Sequence, residues 1–214
     1  MFLDCGMNGK DIFSTLTPPS AAEESLHYWN GLRSGKSESF TALYYQHIDA
    51  LYHYGERLTA DKTLIEDCVQ DLFADLWTRR KTLPEVLTVK FYLFKALKRT
   101  IRRKQRQQAR LLSEASVGHD FALTLTAELD NEELLFSPAQ KTALLQAVNQ
   151  LTPRQKEAIT LRFYDNFSYD EIAEIMDLSD RSVYNLMYRA LAVLRQRVDV
   201  GLWQRVLLAL LLIQ

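Results

Sequence analysis

Arg181, Ser182, Tyr184, Asn185, Tyr188 and Arg189 are donors, acceptors and rings that helical spacing gathers on one side of a C-terminal segment. Amide and guanidinium groups of this kind bond to base edges, while hydroxyl and cationic groups hold phosphates. Three expected helices across residues 151–197 position them. Thr152 and Gln155 form one capping box, with Pro153 at the first helical position, and Ser168 and Glu171 form a second. Ile172, Ala173, Ile175 and Met176 give the middle helix a short apolar face that ends near Asp177. Leu178 reads as the buried residue of a tight turn and Ser179 as the cap of the last helix. There Val183, Leu186, Met187, Ala190, Leu191 and Leu194 share the side opposite the polar groups. A short helix, a tight turn and a second helix with polar residues outward make a helix-turn-helix that can dock in a major groove. The same pattern also suits a helical hairpin packed against another domain.

Composition narrows the class. A chain of 214 residues suits one domain or two small ones. The hydrophobic fraction of 47% is ample for packed cores, and only 7 glycines and 5 prolines suggest a mainly helical protein. Cys5 and Cys68 make neither a disulfide framework nor a zinc site. His27, His47, His53 and His119 are scattered without ligand or nucleophile spacing, so no catalytic site, metal, cofactor or small-molecule substrate is expected. The N-terminus lacks a basic segment followed by an apolar run and is read as having no signal peptide, which predicts a cytoplasmic protein.

Charge is balanced overall and segregated locally. The net charge of −1 is low for a protein that holds duplex DNA unaided, because phosphate neutralisation supplies most such affinity. Yet Lys95, Lys98, Arg99, Arg102, Arg103, Lys104, Arg106 and Arg110 crowd one segment. Residues 113–133 then carry Glu114, Asp120, Glu128, Asp130, Glu132 and Glu133 without a lysine or arginine. The switch in sign marks a linker between two helical domains.

The N-terminal domain is expected to hold helices over residues 38–58, 61–80 and 88–110, after an extension with a short helix around 21–32. The first has Phe40, Leu43, Tyr44, Ile48, Leu51 and Tyr52 as its buried stripe. The third is apolar at Phe91, Leu93, Phe94, Leu97 and Ile101. Ser137 and Pro138 start a further helix that leads into the helix-turn-helix. On the second helix, Val69, Leu72, Phe73 and Leu76 face a core, so Asp67, Gln70, Asp71 and Asp75 share another face. That face is either solvated or a docking surface for a basic partner.

The run at residues 66–77 resembles the segment of region 2 with which sigma-70-family factors grip RNA polymerase, and residues 151–197 are similar to region 4. With two regions and a short linker, the chain resembles the extracytoplasmic-function (ECF) sigma factors, and Val183-Tyr184-Asn185-Leu186 resembles the variant typical of Bacteroidetes. The resemblance implies an all-α fold of two small domains. It implies an extension at 1–36, region 2 at 37–110, an acidic linker at 111–136, region 4 at 137–198 and a hydrophobic tail at 199–214. It also implies binding to core RNA polymerase, through its clamp helices and flap, and to promoter DNA, and it admits an anti-sigma factor as a partner. Asp67, Gln70, Asp71 and Asp75 would then meet basic side chains on the clamp helices. Lys90, Tyr92, Lys95, Lys98, Arg99, Arg102 and Arg103 would meet the melted −10 strand, cations tracking phosphates and a ring stacking on a base. The loop at 83–89 matches the family's specificity loop for a flipped −10 base. Arg181, Ser182, Tyr184, Asn185, Tyr188 and Arg189 would face the −35 element, with Arg154 and Lys156 as phosphate anchors. Tyr184 and Leu186 stand where the family usually has cations, which weakens unaided binding. A stand-alone helix-turn-helix regulator is the alternative.

Residues 202–213 are almost wholly apolar yet shorter than the roughly 20 residues a bilayer span needs. They are expected to pack on the protein's own domains.

Overall fold

A computed structural model describes residues 20–111 and 137–197. The acidic linker beyond residue 111 and the apolar tail lie outside the described residues, and so does its expected docking. Every regular element among the described residues is helical. The N-terminal half contains α1 (Ala21–Arg33), α2 (Ser37–Leu58), α3 (Lys62–Thr78), a 3-10 turn (Arg80–Thr82) and α4 (Val89–Leu111). The C-terminal half contains α5 (Pro138–Asn149), α6 (Pro153–Phe163), α7 (Tyr169–Met176) and α8 (Asp180–Arg197).

Local chemistry sets most of the ends. Ser20 and Glu23 close a capping box on α1, and Asp61 caps α3 by accepting from the Leu64 amide at 3.0 Å. The two boxes at Thr152 and Ser168 form, each with its reciprocal bond from the residue three positions on. Asp177 ends α7 in the left-handed region, at φ 52 and ψ 51, which turns the chain sharply into α8. Gly35, at φ 86, makes the corresponding turn between α1 and α2.

In the N-terminal half α2 packs against α1, α3 and α4, so it is buried on more than one side. Leu43 and Leu51 of the expected stripe are buried, whereas Phe40, Tyr44, Ile48 and Tyr52 are half-buried. His47 and Tyr54 occupy core positions that a single-stripe reading leaves outside. Gly55 lets α2 and α3 approach, since a Cβ there would lie 2.5 Å from a methyl of Ile65. In the C-terminal half Ile172, Ala173, Ile175, Met176, Val183, Met187, Ala190 and Leu194 are buried as their spacing requires. Leu178, Leu186 and Leu191 are only half-buried, so the turn residue is not fully covered.

The two halves share one continuous hydrophobic cluster. Phe167, in the loop between α6 and α7, inserts its ring edge-on against Phe94 of α4 at 5.1 Å, and Tyr54 of α2 stacks on Phe94 at 4.8 Å. Aromatic contacts of this kind add roughly 0.5–1.5 kcal/mol each beyond their burial.

His47 makes this core pH-sensitive. Burial, reinforced by the Lys90 charge, lowers its pKa from 6.5 to about 4. As pH falls the unfolded chain takes up the proton first, so stability present above 6.5 is lost on the way down to about 4. Going from about pH 7 to about pH 5 is expected to remove about 2 kcal/mol of unfolding free energy, and His47→Gln should flatten that dependence. Urea titrations at the two pH values measure it, and equal slopes in both proteins would contradict it.

Candidate nucleic-acid interface

Helix α4 divides its surface by charge. Val89, Leu93, Phe94, Leu97 and Ile101 are buried against the N-terminal core, and cations take much of the remaining face. Arg99, Arg103 and Arg106 are exposed. Four others, Lys90, Lys95, Lys98 and Arg102, end on acids of the C-terminal half. The Lys95 ammonium lies 2.6 Å from Glu174, and the Arg102 guanidinium 2.6 Å from Asp177. The Lys98 ammonium donates to Glu157 at 2.5 Å with its side chain only 3% exposed. Lys90 donates to the backbone carbonyl of Asp165 at 2.9 Å and lies 3.4 Å from its carboxylate.

A second buried pair closes this junction. Arg57, in the last turn of α2, donates to Asp165 at 3.0 Å, and both side chains are at most 3% exposed. The Arg57 guanidinium also lies over the Tyr164 ring, while Tyr54 donates to Glu157 at 3.0 Å. Burial pushes the Asp165 carboxyl upward, and the Arg57 and Lys90 charges pull it back. Burial lowers the Lys98 ammonium, and Glu157 opposes that shift. Among the described residues Arg57 Nε is buried without a hydrogen-bond partner.

Tyr92 is half-buried. Its ring meets Trp29 edge-on at 5.0 Å, which accounts for part of its surface as packing. The residues that support it were not legible as functional from sequence. The Trp29 indole donates to the Pro84 carbonyl at 3.0 Å, and the Arg33 guanidinium donates to the Leu83 carbonyl at 3.2 Å. Helix α1 therefore ties down the start of the loop at residues 83–88. Leu87 stands 94% exposed on that loop, an apolar side chain with no core role.

On α8, Arg181, Ser182, Tyr184, Asn185, Tyr188 and Arg189 are all exposed on one face. Tyr184 is held rather than free: its ring stacks on Tyr169 at 4.3 Å with an interplanar angle of 13°. Arg162 lies over the other ring of this pair, 5.4 Å from the Tyr169 centroid. Neither Tyr169 nor Arg162 was singled out from sequence, because their partner lies on another helix. Arg154 is exposed and Lys156 half-buried near the start of α6. The face of α8 thus combines one stacked ring with exposed arginines, a mixture suited to base edges and phosphates.

Asp67, Gln70, Asp71 and Asp75 are exposed along α3, on the side away from Val69, Leu72, Phe73 and Leu76. Asp71 lies 2.7 Å from the Lys104 ammonium, and Asp75 lies 3.2 Å from the Arg79 guanidinium. The acidic face thus touches the α4 cations at one point, the Asp71–Lys104 pair.

Comparison with known proteins places two regions in this order. The family model described as Sigma-70 region 2 matches residues 43–111, and that described as Sigma-70, region 4 matches residues 141–194. The ECF RNA polymerase sigma factor BldN of Streptomyces coelicolor is 30% identical over 171 residues, covering 76% of this chain and 61% of BldN. The chain thus spans about three-fifths of that relative's length. The RNA polymerase sigma-E factor of the same organism is 25% identical over 150 residues, covering 70% of this chain and 80% of that one. The fold is similar to that of the sigma factor RpoE of Bartonella quintana, solved with the anti-sigma factor NepR. That match has a TM-score of 0.51 and 22% identity, and covers 76% of this chain and 98% of that one.

The support given by α1 to the loop is testable. Trp29→Phe keeps a six-membered ring but removes the indole N–H with its bond to Pro84, a loss of about 1 kcal/mol and a factor of about five in local opening, to which the cavity left by the smaller side chain adds. Amide hydrogen exchange at residues 85–88 is expected to quicken accordingly. Unchanged exchange there would mean that the loop is held by other contacts.

Proposed function

Because the chain belongs to the sigma-70 family of RNA polymerase sigma factors, in its extracytoplasmic-function group, we propose that it binds core RNA polymerase. In this reading it directs the enzyme to a class of promoters and assists melting of the −10 element. The observation that carries the proposal is the pairing of region 2 and region 4 in one chain, each with its own exposed polar face. The exposed acids of α3, Asp67, Asp71 and Asp75, with Gln70, engage basic side chains of the polymerase clamp helices. Region 4 approaches the flap. Lys90, Tyr92, Lys95, Lys98, Arg99, Arg102 and Arg103 meet the −10 strand, with phosphates on the cations and an unpaired base near Tyr92. Arg181, Ser182, Tyr184, Asn185, Tyr188 and Arg189 read the −35 element, with Arg154 and Lys156 on its phosphates.

The protein acts by binding, in the cytoplasm; no helix among the described residues is long and apolar enough to cross a membrane. A net charge of −1 supplies little pull toward DNA, so affinity for promoters comes through the polymerase. An anti-sigma protein belongs to the same proposal, since the Bartonella quintana RpoE is seen in complex with one.

Run-off transcription with purified core polymerase tests this reading. The wild-type chain is expected to confer promoter-specific initiation. Asp67→Lys with Asp71→Lys should weaken core binding by tenfold or more, roughly 1.4 kcal/mol, while circular dichroism stays unchanged. Tight promoter binding by the isolated chain, with no effect on core polymerase, would instead identify a stand-alone helix-turn-helix regulator.

A further inference from the structure

The exposed face of α8 is chemically uneven. Arg181, Ser182, Asn185 and Arg189 bring donors and acceptors, whereas Tyr184 and Tyr188, 54% and 77% exposed, bring mainly ring surface. The fold immobilises Tyr184. Ser168 caps α7 by accepting from the Glu171 amide, which fixes the first turn and with it Tyr169. The Tyr169 ring stacks on that of Tyr184 at 4.3 Å and 13°. Arg162, near the end of α6, is held by its bond to the Phe167 carbonyl at 3.1 Å and lies over the Tyr169 ring. Three helices thus contribute one group each to a single stack. It covers one face of Tyr184 and leaves the other face and the edge to a partner.

What such a ring can recognise in duplex DNA is narrow. Paired bases stay stacked on one another, so a side chain in the major groove meets base edges only. Those edges carry amino, carbonyl and ring-nitrogen groups, and one apolar group, the C5-methyl of thymine. Ring surface laid on the polar groups strips water from them and returns no hydrogen bond, whereas on the methyl it removes apolar area from water. Asn185, next in sequence, carries the amide that pairs bidentately with N6 and N7 of adenine. The two neighbours therefore favour A·T pairs, and neither needs a positive charge to do so.

We infer that Tyr184 is a specificity-determining residue that reads a thymine methyl in the major groove, and that Tyr169, backed by Arg162, is its positioning residue. This assignment rests on the proposed contact of α8 with duplex DNA, though not on the part given to polymerase. Because the ring is ordered before DNA arrives, little rotamer freedom is lost on contact.

The test begins with selection of duplexes from a randomised library by the full chain, with and without core polymerase. Each thymine of the enriched motif is then replaced in turn by deoxyuridine, which lacks only the methyl. At one thymine or more, wild-type affinity is expected to fall about fourfold, the worth of one covered methyl. Tyr184→Ala should bind the two duplexes of that position equally. Tyr169→Ala should shrink the ratio, and Tyr169→Phe, which keeps the stack, should preserve it. A stack that only braces the fold would weaken both duplexes alike and leave the ratio unchanged in Tyr169→Ala, which refutes the positioning role. Failure to enrich any motif, indifference to every methyl, or a full methyl dependence at all positions in Tyr184→Ala overturns the inference. A methyl dependence removed by Tyr184→Ala in a chain without run-off activity would uphold it and reject the proposed action on polymerase.

Discussion

An ammonium group taken out of water needs a counter-charge, and Lys98 finds its own at Glu157, 59 positions further along the chain. Lys98 lies on the same helix as Leu93, Phe94, Leu97 and Ile101, which are buried in the N-terminal core. With those residues fixed, the helical period leaves Lys90, Lys95, Lys98 and Arg102 pointing at the C-terminal half, and that half must present acids or leave them solvated. It presents Glu157, Asp165, Glu174 and Asp177. The location of the loop after α6, the insertion of Phe167 and the relative placement of the halves all follow from satisfying α4 on both faces.

This arrangement sorts the functional surfaces by accessibility. The acidic face of α3 and the polar face of α8 are open to partners, while half of the α4 stripe is engaged within the chain. A protein of nearly zero net charge has little long-range attraction for DNA.

Precision at the open surfaces comes from side chains behind them. Tyr169 and Arg162 stack in line behind Tyr184, which removes rotamer freedom from an exposed ring on α8. Trp29 and Arg33 do the same for the backbone of the loop at 83–88. Trp29 is a core residue packed against Tyr92, and its indole N–H has the second task of holding a loop far away in sequence.

The helices, their caps and their exposed faces were written locally. A capping box at Thr152 or Ser168 joins atoms three residues apart, and the polar face of α8 is set by the helical period, so neither needs the rest of the fold. The order of region 2 and region 4 and the acidic face of α3 were likewise readable from sequence. Single-helix patterns failed where a helix is packed on several sides: His47 and Tyr54 are buried on α2, while Phe40, Tyr44, Ile48 and Tyr52 are only half-covered. Nor could a sign change after α4 indicate that acids well beyond the linker would return to its cations. Arg57 and Asp165 are 108 residues apart, and no periodic signal spans such a distance. Their pairing depends on desolvation and shape, which exist only once the chain has folded; sequence determined what each surface is made of, and tertiary structure decided which of them are left uncovered.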